Sequence, residues 1–297
     1  MRNPSFFQSA IALVLATVAT ARSDDSSREL MIHWSDSVQT HAVSTPEKNW
    51  YIGVAPSAIE TNAGAETRLS TGDHAVSAKI LHLDPSSRLC LLEASDTIEE
   101  VEPIEFAKAP IPCAGSKLHC SKRGSSCPTA IAGREYSIRG EPLSSPLLRV
   151  RVSDAEKFCE PGTPIVCENG KLFGILIETD SSVEGEAHAI PVCCIRKMVT
   201  EMERYGHTGK VWIGLVFEDE SNTPQVVEVR PDSPAREAMI KPDDVILTIS
   251  HRDVTNLDDL TQAMHTLIAG DEIEVTVLRG ISQKTLTLTP RFAEAPE

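Results

Sequence analysis

Between residues 49 and 180 the apolar residues come in short runs, at 50–54, 75–83, 89–93, 147–152 and 172–178, with Gly, Pro and Ser between them. Runs of that length with turn residues at their ends predict short β-strands. Their regular recurrence predicts a sandwich or a barrel. The pattern changes at 193–205, where Ile195, Met198, Val199 and Met202 fall at helical spacing and Gly206 stands just beyond. A helix there closes the β-rich unit. After residue 207, strand-like runs surround a second helix at 257–267, with Asn256 as its N-cap and Asp258 and Asp259 at the positive end of its dipole. The chain reads as mainly β, with an α+β module at its C-terminal end and a short tail at 291–297.

Met1 and Arg2 precede an apolar run at 10–19 and the small-residue site Ala19-Thr20-Ala21. This predicts a signal peptide over 1–21, cut before Arg22, and an exported protein, periplasmic or extracellular. The run is about half of the ~20 residues a membrane span needs. Residues 22–48 are polar and read as a linker and leading segment, with a short element near 29–34.

Charge then narrows the partners. The chain has 28 basic and 43 acidic residues, a net charge of −15, which repels nucleic acid and anionic membrane alike. An aromatic content of 4% offers no platform for stacking bases. Eight cysteines, Cys90, Cys113, Cys120, Cys127, Cys159, Cys167, Cys193 and Cys194, predict up to four disulfides in an exported chain. No Cys-x-x-Cys occurs, and no histidine stands at zinc-finger spacing from the 113, 120, 127 series. Neither a metal nor a cofactor is predicted.

A longer set of motifs carries a resemblance. One block runs Gly162-Thr163-Pro164-Ile165-Val166-Cys167-Glu168-Asn169-Gly170-Lys171-Leu172-Phe173-Gly174-Ile175, then Ala189-Ile190-Pro191, then the helix to Tyr205-Gly206. Upstream stand Leu69-Ser70-Thr71-Gly72 and Leu83-Asp84-Pro85-Ser86-Ser87-Arg88-Leu89-Cys90-Leu91-Leu92. In order and spacing these resemble the HtrA (Deg) family of serine proteases, over roughly residues 49 to 290. The resemblance implies a trypsin-like double β-barrel over 49–207 and a PDZ domain over 208–290. It also implies a homo-oligomer, a trimer in that family.

Carried over motif by motif, the family's histidine falls on Ser57, its aspartate on Arg88 and its nucleophilic serine on Pro161. Serine hydrolysis needs an imidazole to take the hydroxyl proton and a carboxylate to orient that imidazole. Ser57 is no such base, Arg88 repels an imidazolium, and Pro161 has neither a nucleophile nor a backbone N–H for an oxyanion hole. A degenerate, non-enzymatic homologue is the expectation. Arg88 reads either as a solvated charge or as a partner for Asp84 or Glu160. Cys159, two residues before Pro161, reads as a disulfide partner or, with a base nearby, as a displaced nucleophile.

Val211-Trp212-Ile213-Gly214-Leu215 resembles the carboxylate-binding loop of HtrA PDZ domains. A loop turned at Gly214 can aim successive N–H groups at a terminal carboxylate, and the ligand then adds to a sheet edge. Trp212, Ile213, Gly214 and Leu215, with Leu260, Met264 and Leu267 from the helix, form the expected peptide-binding set. The same residues also fit an ordinary buried strand and helix. Three positions that are usually Gly are Met239, Asp243 and His251 here. The expected function is an envelope scaffold or quality-control protein that binds polypeptide C-termini or unfolded segments. A serine-type endopeptidase with displaced catalytic residues, or a disulfide or metal protein built on the cysteines, stays open beside it.

Overall fold

The computed structural model describes residues 29–47, 49–99, 101–108, 117–122, 125–138, 141–179, 183–218 and 222–293. The expected signal peptide, Cys113 and the end of the tail lie outside them.

The first barrel is built from β1 (Leu30–His33), β2 (Gln39–Ser44), β3 (Trp50–Val54), β4 (Glu66–Thr71), β5 (His74–Leu83) and β6 (Leu89–Ala94). The second uses β7 (Leu118–Lys122), β8 (Ser125–Ile138), β9 (Glu141–Val152), β10 (Pro164–Cys167), β11 (Leu172–Thr179) and β12 (Glu186–Pro191), with α1 (Ala155–Phe158) between β9 and β10. The first closes in the order β1-β2-β3-β6-β5-β4 and the second in the corresponding order β7-β8-β9-β12-β11-β10. The two barrels therefore repeat one topology. The first begins at Leu30 and not at Asn49, because β1 pairs with both β2 and β4 and closes the barrel. The linker reading of 22–48 is corrected to that extent.

Period-two alternation explains why the barrel strands read as continuous apolar runs. On β6, Cys90 and Leu92 point into the first barrel's core, while Leu89 and Leu91 point into a second core between the barrels. On β11 a register shift against β10 breaks the strict alternation, so that Phe173 and Leu176 fill the second barrel while Leu172, Ile175 and Ile177 fill the shared core. Strands buried on both faces need apolar side chains on both. The helix α2 (Val192–Tyr205) completes the shared core with Ile195, Met198, Val199 and Met202. Each such side chain contributes about 1.5–3 kcal/mol by leaving water. α2 stops where Gly206 takes a left-handed conformation, φ 71°, which glycine adopts without steric cost.

The C-terminal module holds β13 (Val211–Trp212), β14 (Leu215–Phe217), β15 (Val226–Val229), α3 (Pro234–Glu237), β16 (Val245–Ile249), β17 (Arg252–Asp253), α4 (Leu257–His265), β18 (Ile273–Arg279), β19 (Ser282–Leu288) and β20 (Arg291–Phe292). Its core gathers Ile213, Val226, Ile246, Leu260, Val275 and Val277. Asn256 caps α4 by accepting from the Asp259 N–H at 2.8 Å, and Ser233 caps α3 in the same way. Met239, Asp243 and His251 all sit at positive φ, 62°, 69° and 63°. The turns thus keep the geometry glycine usually supplies, and the Arg279 guanidinium holds the carbonyl of Met239 at 2.9 Å.

The seven described cysteines are free thiols, so the expected disulfides are not formed in this structure. Most of them act as small core residues. Cys90 lies in the first barrel, Cys120 and Cys127 in the second, and Cys193 and Cys194, on α2, in the core the barrels share. Burial pushes the Cys90 and Cys120 thiols up to about 12 and Cys159 to about 11.

Candidate functional site

The loop between α1 and β10 reaches across to the first barrel. Gly162 has φ +88° and lies so close to β2 that a Cβ there would stand 1.9 Å from the His41 carbonyl oxygen. Only glycine permits this approach. The His41 N–H donates to the Pro161 carbonyl at 3.1 Å, and the Gly162 N–H donates to the Leu176 carbonyl at 2.8 Å. Beside this seam, Glu160 meets His41 Nε2 at 2.8 Å and Lys122 Nζ at 2.5 Å. Burial works to raise the Glu160 carboxyl, but the hydrogen bonds from Lys122 and His41 outweigh it and hold the group below its ordinary value.

The three expected triad positions separate into a pair and an outlier. Ser57 is exposed in the turn after β3. Arg88 adopts φ 61° and sends its guanidinium under that turn, to the carbonyls of Ala55 (3.5 Å), Pro56 (3.2 Å) and Ile59 (2.6 Å). Neither expectation for Arg88 describes this: its main role is to bind backbone carbonyls. Pro161 belongs to the seam with β2. Arg88 and Pro161 supply neither a base nor a nucleophile.

Two histidines contact hydroxyls elsewhere. His33 Nε2 lies 2.5 Å from Ser70 Oγ on paired strands, and burial and then Arg68 lower its pKa. His82 Nε2 lies 3.2 Å from Thr208 Oγ1, and burial lowers its pKa too. The imidazole–carboxylate pair at the seam, His41 with Glu160, was not legible from sequence. Only the fold brings strand β2 to that loop.

The expected peptide site sorts differently. Gly214 has φ +81°, and a Cβ there would stand 2.1 Å from Ser233 Cβ. Its carbonyl accepts from Arg230 N–H, and the Ile213 carbonyl accepts from Ala235 N–H, both at 2.9 Å. β14 pairs with β15 alone among the described strands, leaving its other edge for an added strand. Ile213, Leu260 and Leu267 are buried in the module's core, whereas Leu215 and Met264 are half-buried at its margin. Trp212 is half-buried on β13. Leu257, seven residues before Met264 and so on the same helix face, is half-buried as well. It belongs with Met264, and the spacing 260, 264, 267 mixed core and margin. Met264 and Val211 also wall a cavity of about 390 Å³ shared with His82, Cys194, Lys197 and Glu201.

Two closed barrels of one topology, followed by a small α+β module with an open strand edge, define a trypsin-like double barrel joined to a PDZ domain. Residues 211–289 match the family described as PDZ domain. Serine protease Do-like HtrB of Bacillus subtilis is 29% identical over 150 residues, covering 43% of this chain and 33% of that protein. Serine protease HTRA1 of Xenopus laevis is 25% identical over 219 residues, covering 66% of this chain and 46% of that protein. The solved structure of the HtrA-type protease AlgW with tripeptide shares the fold, with a TM-score of 0.55, 17% identity and coverage of 91% and 94%. The resemblance is therefore to the HtrA family, with its protease-like body and PDZ domain. The chain spans between a third and a half of the length of these curated relatives.

These relatives correct one expectation. Each is named a serine protease or an HtrA-type protease, so they point to an active enzyme and give no support to a non-enzymatic chain. The reading as a disulfide or metal protein likewise finds no support. No group of three or more metal-ligating side chains gathers among the described residues, and no described helix is long and apolar enough to cross a membrane.

Proposed function

We propose that the PDZ domain captures polypeptide C-termini and presents the attached chain to the double barrel, in an exported HtrA-like quality-control protein. The observation that carries this is Gly214 at φ +81° beside the unpaired edge of β14. A terminal carboxylate fits the N–H groups of Ile213, Gly214 and Leu215, and the final apolar side chain fits Leu215, Leu257 and Met264. Export is supported by relatives such as the probable periplasmic serine endoprotease DegP-like of Marinomonas, 23% identical over 143 residues, covering 43% of this chain and 30% of that protein. An oligomer is the arrangement the family resemblance implies.

Hydrolysis, to which the relatives' names point, draws on groups other than Arg88 and Pro161. The His41–Glu160 pair supplies an oriented imidazole at the seam.

Calorimetry with free-acid and C-terminally amidated peptides tests the capture. The free acid is expected to bind near micromolar, about −8 kcal/mol, and the amide at least tenfold more weakly. Equal affinities place binding on another surface. Casein turnover, compared between the parent chain and His41→Ala, tests the role of the pair.

A further inference from the structure

Where α2 meets the PDZ domain, the two ends of the contact differ in charge. At one end the buried Glu201 carboxylate accepts from Lys197 and from the N–H groups of Gly209 and Ala269. At the other end a cavity of about 200 Å³ is lined by Lys108, Arg196, Ser250, Arg252, Thr266 and Leu267. Among the described residues three cations line it and no carboxylate does, in a chain whose net charge is −15.

We propose that this crevice is a binding site for a small tetrahedral oxyanion of the phosphate class, held between the barrel body and the PDZ domain. The donors come from both sides. Lys108 and Arg196 belong to the body, while Ser250 and Arg252 stand at the β16–β17 turn of the PDZ domain. The carboxylate on the Lys108 segment, Glu105, is ion-paired with Lys171 at 2.6 Å and feels the Lys108 charge more weakly, and Glu274, near the turn, faces His251 at 3.8 Å.

Arg196 is held in place by a contact with a neutral group. Arg196 donates to the carbonyl of Ala107, and the Arg252 charge acts on the Cys193 thiol. Its hydrogen bond with Cys194 first, and then the charge of Arg252, bring it below the ordinary thiol value, against the opposing effect of burial.

Size selects the class. About 200 Å³ holds a tetrahedral anion and ordered water but falls below the ~300 Å³ at which pockets for drug-sized ligands begin. Because both bodies contribute donors, an anion bound there stabilises the docked arrangement by mass action.

Isothermal titration of the full chain with inorganic phosphate, against sodium chloride at matched ionic strength, tests this. One saturable site per chain is expected, with Arg196→Gln and Arg252→Gln each weakening it at least about tenfold, since each removes a charge-assisted donor. Lys284→Gln, on exposed β19, is the control and keeps the parent affinity. Sulfate binding at the same site supports the oxyanion class. Two results overturn the proposal: heats that phosphate and chloride produce equally, or a saturable phosphate site that loses less than tenfold in both arginine variants. Melting of each variant without phosphate shows whether it is folded, and the two substitutions lie on different elements, so one remains informative if the other unfolds.

Discussion

Two glycines in left-handed backbone stand at the two places where the family motifs concentrate, Gly162 in the barrel body and Gly214 in the PDZ domain. Their local signatures nearly coincide: φ +88° and +81°, with space for a Cβ denied at 1.9 and 2.1 Å. The surroundings differ. Gly162 is pressed against the backbone of β2, and its neighbour's carbonyl is taken by His41, so the loop is a closed joint between barrels. Gly214 is pressed against a side chain, Ser233, and turns the chain into a strand with an open edge. A glycine that permits close approach thus serves assembly in one case and recognition in the other. What decides is whether the approaching group is the protein's own backbone.

The largest expected effect follows from that contrast. Gly162→Val drives a side chain into backbone that cannot step aside, and the double barrel is expected to lose about 4 kcal/mol or more. In urea unfolding followed by Trp fluorescence, the barrel transition moves while the PDZ transition stays. A variant with the parent midpoint removes the joint from the argument.

Gly214→Val is expected to act the other way round. Forcing φ +81° on a β-branched residue costs about 1–2 kcal/mol, and Ser233 must shift. The PDZ transition falls modestly, the barrel transition does not move, and binding of a free-acid peptide is lost. Retained binding detaches recognition from this loop.

Arg88→Gln comes third. Removing a guanidinium that serves three carbonyls of the 55–59 turn leaves acceptors that water can reach in part, so a loss of about 1–2 kcal/mol is expected in the barrel transition. Faster amide exchange confined to residues 55–60 locates the effect. Unchanged exchange there means that the turn holds itself.

The same contrast shows what sequence reveals. Strands β3, β6 and β11 and both long helices were legible because their side chains are apolar on the faces they bury. The PDZ turns were legible through the positions usually held by glycine. Strand β2 was not. Gln39–Ser44 carries Thr40, His41 and Ser44, all buried, and a polar hexapeptide reads as linker. Thr40 accepts from Trp34 Nε1 six residues back but donates to the Val54 carbonyl, and His41 meets Glu160, 119 residues away. Nothing within a local window announces such partners. The same long-range pairing hid the seam, and on α4 the near-coincidence of core and margin faces blurred which apolar residues line the groove.

The smallest expected effect tests whether the Glu160 contacts matter to the joint. In the folded chain this carboxyl lies below its ordinary value, so it binds a proton less readily than in the unfolded chain, where the value is about 4.3. Its contribution is therefore fully present above that unfolded value and is lost as pH falls through the folded one. The side chain is 50% exposed, and solvent screening keeps the contribution under about 1 kcal/mol. Glu160→Gln abolishes the titration while leaving the shape, so the variant is expected to melt slightly below the parent at pH 7. That gap closes as the pH falls through the folded-state value, because the parent then also loses its charge. Melting temperatures of the two proteins across that titration decide the matter. A gap that stays constant while the parent's Glu160 is titrated to its neutral form means that His41 and Lys122 hold Glu160 through geometry without stabilising its charge. In that case, the closed joint at Gly162 rests on backbone contacts alone.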